Sequence, residues 1–433
     1  MDFFNLPSNT EVMKKIVPIS VLFIFSLFAC IEEPDFSALP VDDMSELSVP
    51  DGFEFKSEES FDLVINLDLE DTSSYARVVI SSDNDRLFEG VINPGTTPFN
   101  FDLPFHKEDI EITAYWNDRV ANKTFEKYEA LTLSLNQESF SCEGVGSVAF
   151  AANKKDKDDA DSDGVKDKDD LEPNNPLVAQ AIYIPAFESF NTIGFEDAWP
   201  SEGDYDFNDL VVSFNLNKFM SKKNQLARVE THFKVLAIGA GYNNDFCYTI
   251  DIPADQLTIE VSDASLAYEV LGYDGITEVR FEKIKSAFGT NGFVNTVETD
   301  EYFEPLDFTI TSTVNEKYKA NGNDLAYDFF IRINGEEGRE VHVAGKHPTG
   351  KVNRTYFGTA ADNSKNGQYY VNKRNLPWAV MIPEIWEYPA EKIEIISAYP
   401  DFIDFAQKNS NMPWYSDFHG GNVNRSKLFK KKR

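Results

Sequence analysis

From residue 52 onward, apolar and polar positions alternate in short runs separated by turn-forming residues. Segments 61–67 (FDLVINL), 76–80, 87–92, 109–115 and 130–135 carry the two-residue period of strands with one buried face. Ser82-Asp83-Asn84-Asp85 and Asn93-Pro94-Gly95 supply turn chemistry between them. Short strands so closely spaced predict a small β-sandwich over 51–140. The pattern resumes at 210–215, 226–238, 246–252, 257–261, 308–313, 328–333 and 379–382, with Gly, Asn, Asp and Pro between the runs. A larger antiparallel sandwich or jelly-roll over 177–427 follows. One helix stands out: Pro400 precedes Asp401–Lys408, which sets Phe402, Phe405 and Ala406 on one face as core cover. The expected fold is mainly β with few helices.

A chain of 433 residues, 42% hydrophobic, has the apolar material for a large core. The net charge of -33 argues against non-specific binding to nucleic acid or anionic lipid, both of which need positive surface. The basic block Lys430-Lys431-Lys432-Arg433, within 428–433, reads as a solvated tail. At the other end, Met13-Lys14-Lys15 precedes an apolar run from Ile16 to Phe28, too short to span a bilayer, which takes roughly 20 residues. Residues 1–29 therefore read as a signal peptide whose true start is Met13. Leu27-Phe28-Ala29-Cys30 resembles the lipobox of bacterial lipoproteins, which implies cleavage before Cys30 and lipidation of its thiol. The implied address is an outer membrane anchor, facing the cell surface or the periplasm. Cys30-Ile31-Glu32-Glu33-Pro34-Asp35 resembles a surface-export signal, and 30–50, rich in Pro, Ser and acid, reads as a flexible tether. Cys142 and Cys247 are expected as unpaired small apolar side chains.

The linker 141–176 holds the first candidate metal loop. Asp159, Asp161, Asp163, Asp167 and Asp170 occupy positions 1, 3, 5, 9 and 12 of a calcium loop, Gly164 sits at the sharp bend, and Val165 offers a backbone carbonyl. Without metal, such a run repels itself and stays open. Pro173 and Pro176 rule out an exiting helix, and 161–176 instead resembles the acidic calcium repeat of thrombospondin type 3. A second candidate is Asp204, Asp206, Asn208 and Asp209, opening an apolar strand, preceded by Glu196 and Asp197. Oxygen-only ligands at alternating positions suit calcium better than zinc or copper; the alternative is an Asx-rich turn bonded to its own backbone.

The segments 194–200 (GFEDAWP) and 203–212 (GDYDFNDLVV), with 233–240, 335–342 before Pro348-Thr349, and 375–383, resemble the signature of the LruC domain family of bacterial lipoproteins over roughly 180–420. The resemblance implies an exported, anchored β-rich protein with no established reaction. The five histidines show no ligand-spaced pattern, no catalytic motif is recognisable, and enzymatic activity is not expected. The expected function is a calcium-dependent binding or adhesion module for a glycan or another envelope component, with Trp199, Tyr205, Trp386 and Trp414 as candidate sugar platforms, though core packing suits each of them better. A carboxylate-dependent glycan hydrolase and a purely structural, calcium-stiffened element are the alternatives.

Overall fold

A computed structural model describes residues 41–433 apart from 72–73, 128–130, 143–158, 365–366, 409–412, 418–419 and 432–433. The expected signal peptide, Cys30, the expected tether up to residue 40, part of the expected linker and the end of the basic tail lie outside the described residues. The protein is mainly β. The first alternating stretch forms β1 (Glu58–Asp68), β2 (Ala76–Ser82), β3 (Asp85–Ile92), β4 (Gly95–Pro104), β5 (Asp109–Trp116), β6 (Arg119–Glu126) and β7 (Leu131–Asn136). The second forms β8 (Gln180–Ile184), β9 (Asn191–Phe195), β10 (Leu210–Met220), β11 (Leu226–Ala237), β12 (Asp245–Ile250), β13 (Leu257–Val261), β14 (Glu269–Tyr273), β15 (Ile276–Phe281), β16 (Leu306–Val314), β17 (Tyr327–Arg332), β18 (Glu340–His342) and β19 (Ala379–Ile382). Two short helices follow, α1 (Ile395–Ala398) and α2 (Asp401–Lys408).

The strands make three sheets. β4-β1-β7 is one, with β7 parallel to β1, and β14-β15-β12-β17-β18 is another. The largest runs β13-β16-β11-β10-β8-β3-β2-β5-β6, with β9 also on β10 and β19 on β9. Segments 51–140 and 177–427, which the alternation pattern presents as two β units, thus share this sheet through the antiparallel pairing of β3 with β8. They also share one core, in which Phe61, Leu63 and Ile65 belong with Phe195, Phe214 and Phe233. The reason lies in burial: Leu87–Ile92 and Gln180–Tyr183 are buried without alternation, so neither strand presents a solvated face, and pairing removes two open edges.

The latter part of the tether differs from expectation. Met44, Leu47 and Val49 are buried in a second core with Phe53, Phe55, Trp386, Trp414 and the apolar face of α2. Phe53 meets Phe405 edge-on at 5.1 Å, and Phe402 meets Trp414 at 4.9 Å. Burial of these three aliphatic side chains, together with the hydrogen bonds of the strap, offsets the cost of ordering it, a contribution that the Pro, Ser and acid content had concealed. The strap is also bonded: the Met44 N–H donates to Glu394, the Arg374 guanidinium to the Met44 carbonyl, and the Asn375 amide to the Val49 carbonyl. The α2 helix buries Phe402, Phe405 and Ala406 as its periodicity predicts.

Candidate metal centres

In the first loop, each of four aspartates gives one oxygen to the loop's own backbone. Asp159 accepts from the Gly164 N–H (3.0 Å), Asp161 from Asp163 (3.1 Å), Asp163 from Val165 (2.7 Å) and Asp170 from Glu172 (3.0 Å). The second oxygen of each is buried with no hydrogen-bond partner among the described residues. Asp159, Asp161 and Asp163 can bring one oxygen apiece within 4.8 Å of one another. Asp167 accepts from the Ala160 N–H, closing the loop from its far side. Desolvation, with neighbouring aspartates, raises Asp163 and pushes Asp170 up to about 6. These oxygens fit a hard cation, because a bound ion would satisfy them and reverse that cost.

The loop is docked on the sheet. Val165 is buried with Val91 and Ala179, and the Tyr75 hydroxyl donates to Asp169 while accepting from the Lys166 N–H. Glu172 accepts two bonds from Arg228 of β11. Residues 159–176 therefore belong to the body of the protein.

The second loop is organised by its own alternation. Tyr205 and Phe207 take left-handed backbone angles (φ 59° and 52°) and bury their rings in the second core. Bulky residues hold such angles only where packing over-determines them. The intervening positions carry the oxygens: Glu196, Asp204 and Asp206 can place one oxygen each within 4.8 Å of one another. Glu196 is 1% exposed, and its Oε1 accepts from the Phe207 N–H, while its Oε2 is buried without a partner. Asp206 accepts from the Asn208 and Lys392 N–H groups. Burial, reinforced by neighbouring carboxylates, drives Glu196 far above the usual carboxylate range and Asp206 up to about 8. Asp204 stands exposed at the mouth. Asn208 is fully buried; its amide donates to the Pro389 carbonyl and its Oδ1 has no partner among the described residues.

Asp197 and Asp209 sit to one side of this cluster and bond elsewhere. Asp209 accepts from the Asp197 N–H (2.7 Å), and the Asp197 side chain accepts from Asn244 (2.8 Å). Burial raises both. Lys285, whose ammonium donates to the Ala240 carbonyl, faces both as a positive charge. The pair ties the segment after β9 to the segment before β12; neither belongs to the group of Glu196, Asp204 and Asp206, although both feel the Glu196 charge. Glu391 was not among the residues the sequence singled out. Its carboxylate lies near Asp204, and burial followed by that charge raises it. A side chain at Gly239 would strike both Asn208 Oδ1 and Glu391 Oε2, and one at Gly203 would strike Glu196 Oε2. The bareness of these two glycines makes room for the oxygens.

Elsewhere, the four candidate platform aromatics are all buried: Trp199, Tyr205, Trp386 and Trp414 are 0–6% exposed. None is open to a sugar: Trp199 bonds inward to Asp362, the Tyr205 hydroxyl meets Asn372 and Arg374, and the indole nitrogens of Trp386 and Trp414 are themselves buried. His342 is buried between two carboxylates, Nδ1 to Asp328 (2.7 Å) and Nε2 to Glu340 (3.2 Å), stacked on Phe330. These carboxylates, at opposite ring nitrogens, hold it doubly protonated with a pKa raised to about 9 against the cost of burial. Its nitrogens point away from each other, so the trio cannot converge on one ion. Cys247 is buried and Cys142 exposed, and both are free thiols. Among the described residues no helix is long and apolar enough to cross a membrane.

Residues 224–415 match the family model described as a domain of unknown function, DUF4842. The DUF4842 match begins after the second loop and includes Glu391. No curated protein matches the chain. Among solved structures, a provisionally named lipoprotein from Bacteroides ovatus aligns with 14% identity, covering 83% of this chain and 100% of its own, at a TM-score of 0.48. BcpA, the major pilin subunit of Bacillus cereus, aligns with 7% identity over 64% of this chain and 65% of its own, at a TM-score of 0.16.

Proposed function

We propose that the protein is an exported calcium-binding lipoprotein of the bacterial envelope, acting as a non-enzymatic binding or adhesion module. One observation carries the calcium reading: two separate loops each bury carboxylate oxygens that have no hydrogen-bond partner among the described residues. Leaving a buried charged acceptor unmatched costs several kcal/mol, and a hard divalent ion is the counter-charge that oxygen-only sites accept. The anchor rests on the Leu27-Phe28-Ala29-Cys30 lipobox, and the resemblance of 194–212 to the LruC signature supports the same address. A binding role is favoured over hydrolysis because Glu196 and Asp206, two of the three grouped carboxylates, are buried. Glycosidase carboxyls instead flank a substrate from roughly 5 to 9.5 Å apart.

With Trp199, Tyr205, Trp386 and Trp414 buried, a glycan or envelope protein would be engaged by polar loops and by the exposed Asp204 edge. The docked first loop and the packed strap favour, as a second reading, a calcium-stiffened structural element. Calcium titration by calorimetry on the mature protein tests the metal, with two saturable steps expected. Intact-mass measurement of detergent-extracted protein tests the anchor, with acyl chains on Cys30 expected. Absence of both steps ends the calcium reading, and an unmodified Cys30 in the mature chain ends the lipoprotein reading.

A further inference from the structure

The second loop's ligands span only residues 196–208, yet the structure brings a distant segment onto the same cluster. Residues 389–395 lie across the loop through three hydrogen bonds. The Pro389 carbonyl accepts from the Asn208 amide, the Lys392 N–H donates to Asp206 and the Ile395 N–H donates to the Tyr205 carbonyl. The Glu391 N–H donates to the Thr296 carbonyl, fixing the direction from which its side chain approaches. At Gly239 the Glu391 Oε2 and the orphaned Asn208 Oδ1 crowd one small space, on the flank of the Asp204 and Asp206 carboxylates. Glu391, with Thr296 and Lys392 as its favourable neighbours, thus flanks the Glu196, Asp204 and Asp206 group beside a fully buried amide oxygen that has no partner among the described residues, and a cation would satisfy that oxygen and offset the repulsion between the carboxylates.

Resting on the calcium reading above, we propose that Glu391 is a ligand of the same ion as Glu196, Asp204, Asp206 and Asn208. Five side-chain oxygen donors from two distant segments leave one to three positions of the roughly six to eight that calcium takes, and these face solvent beside Asp204. The ion cross-links the second loop to residues 389–395. It also reaches the strap, since the neighbouring Glu394 accepts from the Met44 N–H, and Arg374 bonds the Tyr205 hydroxyl, Glu202 and the Met44 carbonyl. Occupancy of this site therefore governs how firmly residues 41–49 are held.

Calcium titrations of the mature chain with Glu391→Gln, Glu391→Asp, and the pair Asp204→Asn with Asp206→Asn test this, with thermal melts in EDTA confirming that each variant folds. Glu391→Gln should weaken one step by about tenfold or more and leave the Asp159–Asp170 step unchanged, since affinity follows ligand charge count. Glu391→Asp keeps the charge but shortens the reach, so a ligand role predicts weakening there too. Wild-type affinity in Glu391→Asp would reduce Glu391 to a nearby charge and overturn the assignment. If the Asp204 and Asp206 pair removes a step while Glu391→Gln does not, only the Glu391 assignment fails; if neither removes a step, the second site itself fails. Hydrogen exchange should show calcium slowing the amides of 389–395 and 44–49 in wild type but not in Glu391→Gln, and calcium-independent exchange in wild type would refute the cross-link.

Discussion

Removing calcium from the second loop should invert the pH dependence of stability, and Asp206 sets the size of the effect. Without an ion its carboxyl stands at about 8, against an ordinary 3.8, chiefly through burial and then through Asp204. Between those values the folded state holds a proton that the unfolded state has released. Unfolding free energy therefore falls as pH rises through that window, by at most roughly 6 kcal/mol for this group. Glu196, shifted the same way, adds to the slope. Calcium displaces these protons, so at pH 7 its binding here should release at least one proton per ion, more as Glu196 contributes, and remove the slope. Urea unfolding at pH 5, 7 and 9, in EDTA and in excess calcium, reads the effect, and calorimetry in buffers of differing ionisation enthalpy counts the protons. The Asp206→Asn variant should be flatter with pH in EDTA and gain less from calcium. Stability in EDTA that holds level or climbs from pH 5 to 8, or calcium uptake without proton release at pH 7, would refute the reasoning.

In the first loop, Asp161→Asn with Asp163→Asn should abolish one calcium step, leave the other, and speed hydrogen exchange across 159–172, as calorimetry and mass spectrometry would show. His342 adds a slope of the same sign at higher pH, here because its charged form is the one held: its pKa is raised to about 9 from an ordinary 6.5 by Asp328 and Glu340 against the cost of burial. Its stabilisation, on the order of 3 kcal/mol, should be full below pH 6.5 and lost as pH rises through 9, and His342→Phe should flatten that limb of the urea midpoints. Gly239→Ala should weaken calcium at the second loop alone, because the added methyl meets Asn208 Oδ1 and Glu391 Oε2; equal titration curves would count against the shared space. Trp414→Ala should cost about 3–5 kcal/mol and expose residues 41–55 to limited proteolysis, since Trp414 seals the core that the strap enters.

The strands were legible wherever one face is buried and one solvated. β1, β2, β5 and β7 alternate in burial as their sequences do. β13 and β19 begin and end at the residues the pattern indicated, 257–261 and 379–382. β4 and β6 escaped notice: β4 carries Gly95, two threonines and Pro98 in its outer half, and β6 is polar at Asn122 to Thr124. β8 and β9, buried on both faces, show no period of two. The spacing of the first candidate loop was legible because its acidic residues lie within twelve consecutive positions, and the structure groups Asp159, Asp161 and Asp163 among them. The second was legible in part: Glu196, Asp204 and Asp206 converge as their residue types suggested, whereas Asp197 and Asp209 turn to Asn244 and to each other.

What the sequence determined by itself, then, was the β class, the register of the first loop and the helix that carries Phe402 and Phe405. Each is a property of neighbouring residues, since a two-residue period, a loop spacing or an apolar stripe is already present in the string. Tertiary structure decided that β3 joins β8 in one sheet, that Met44 and Leu47 leave the tether for a core, and that Glu391 comes near Asp204. These choices turn on how much surface is buried when distant segments meet, and that quantity exists only once the sheets have formed.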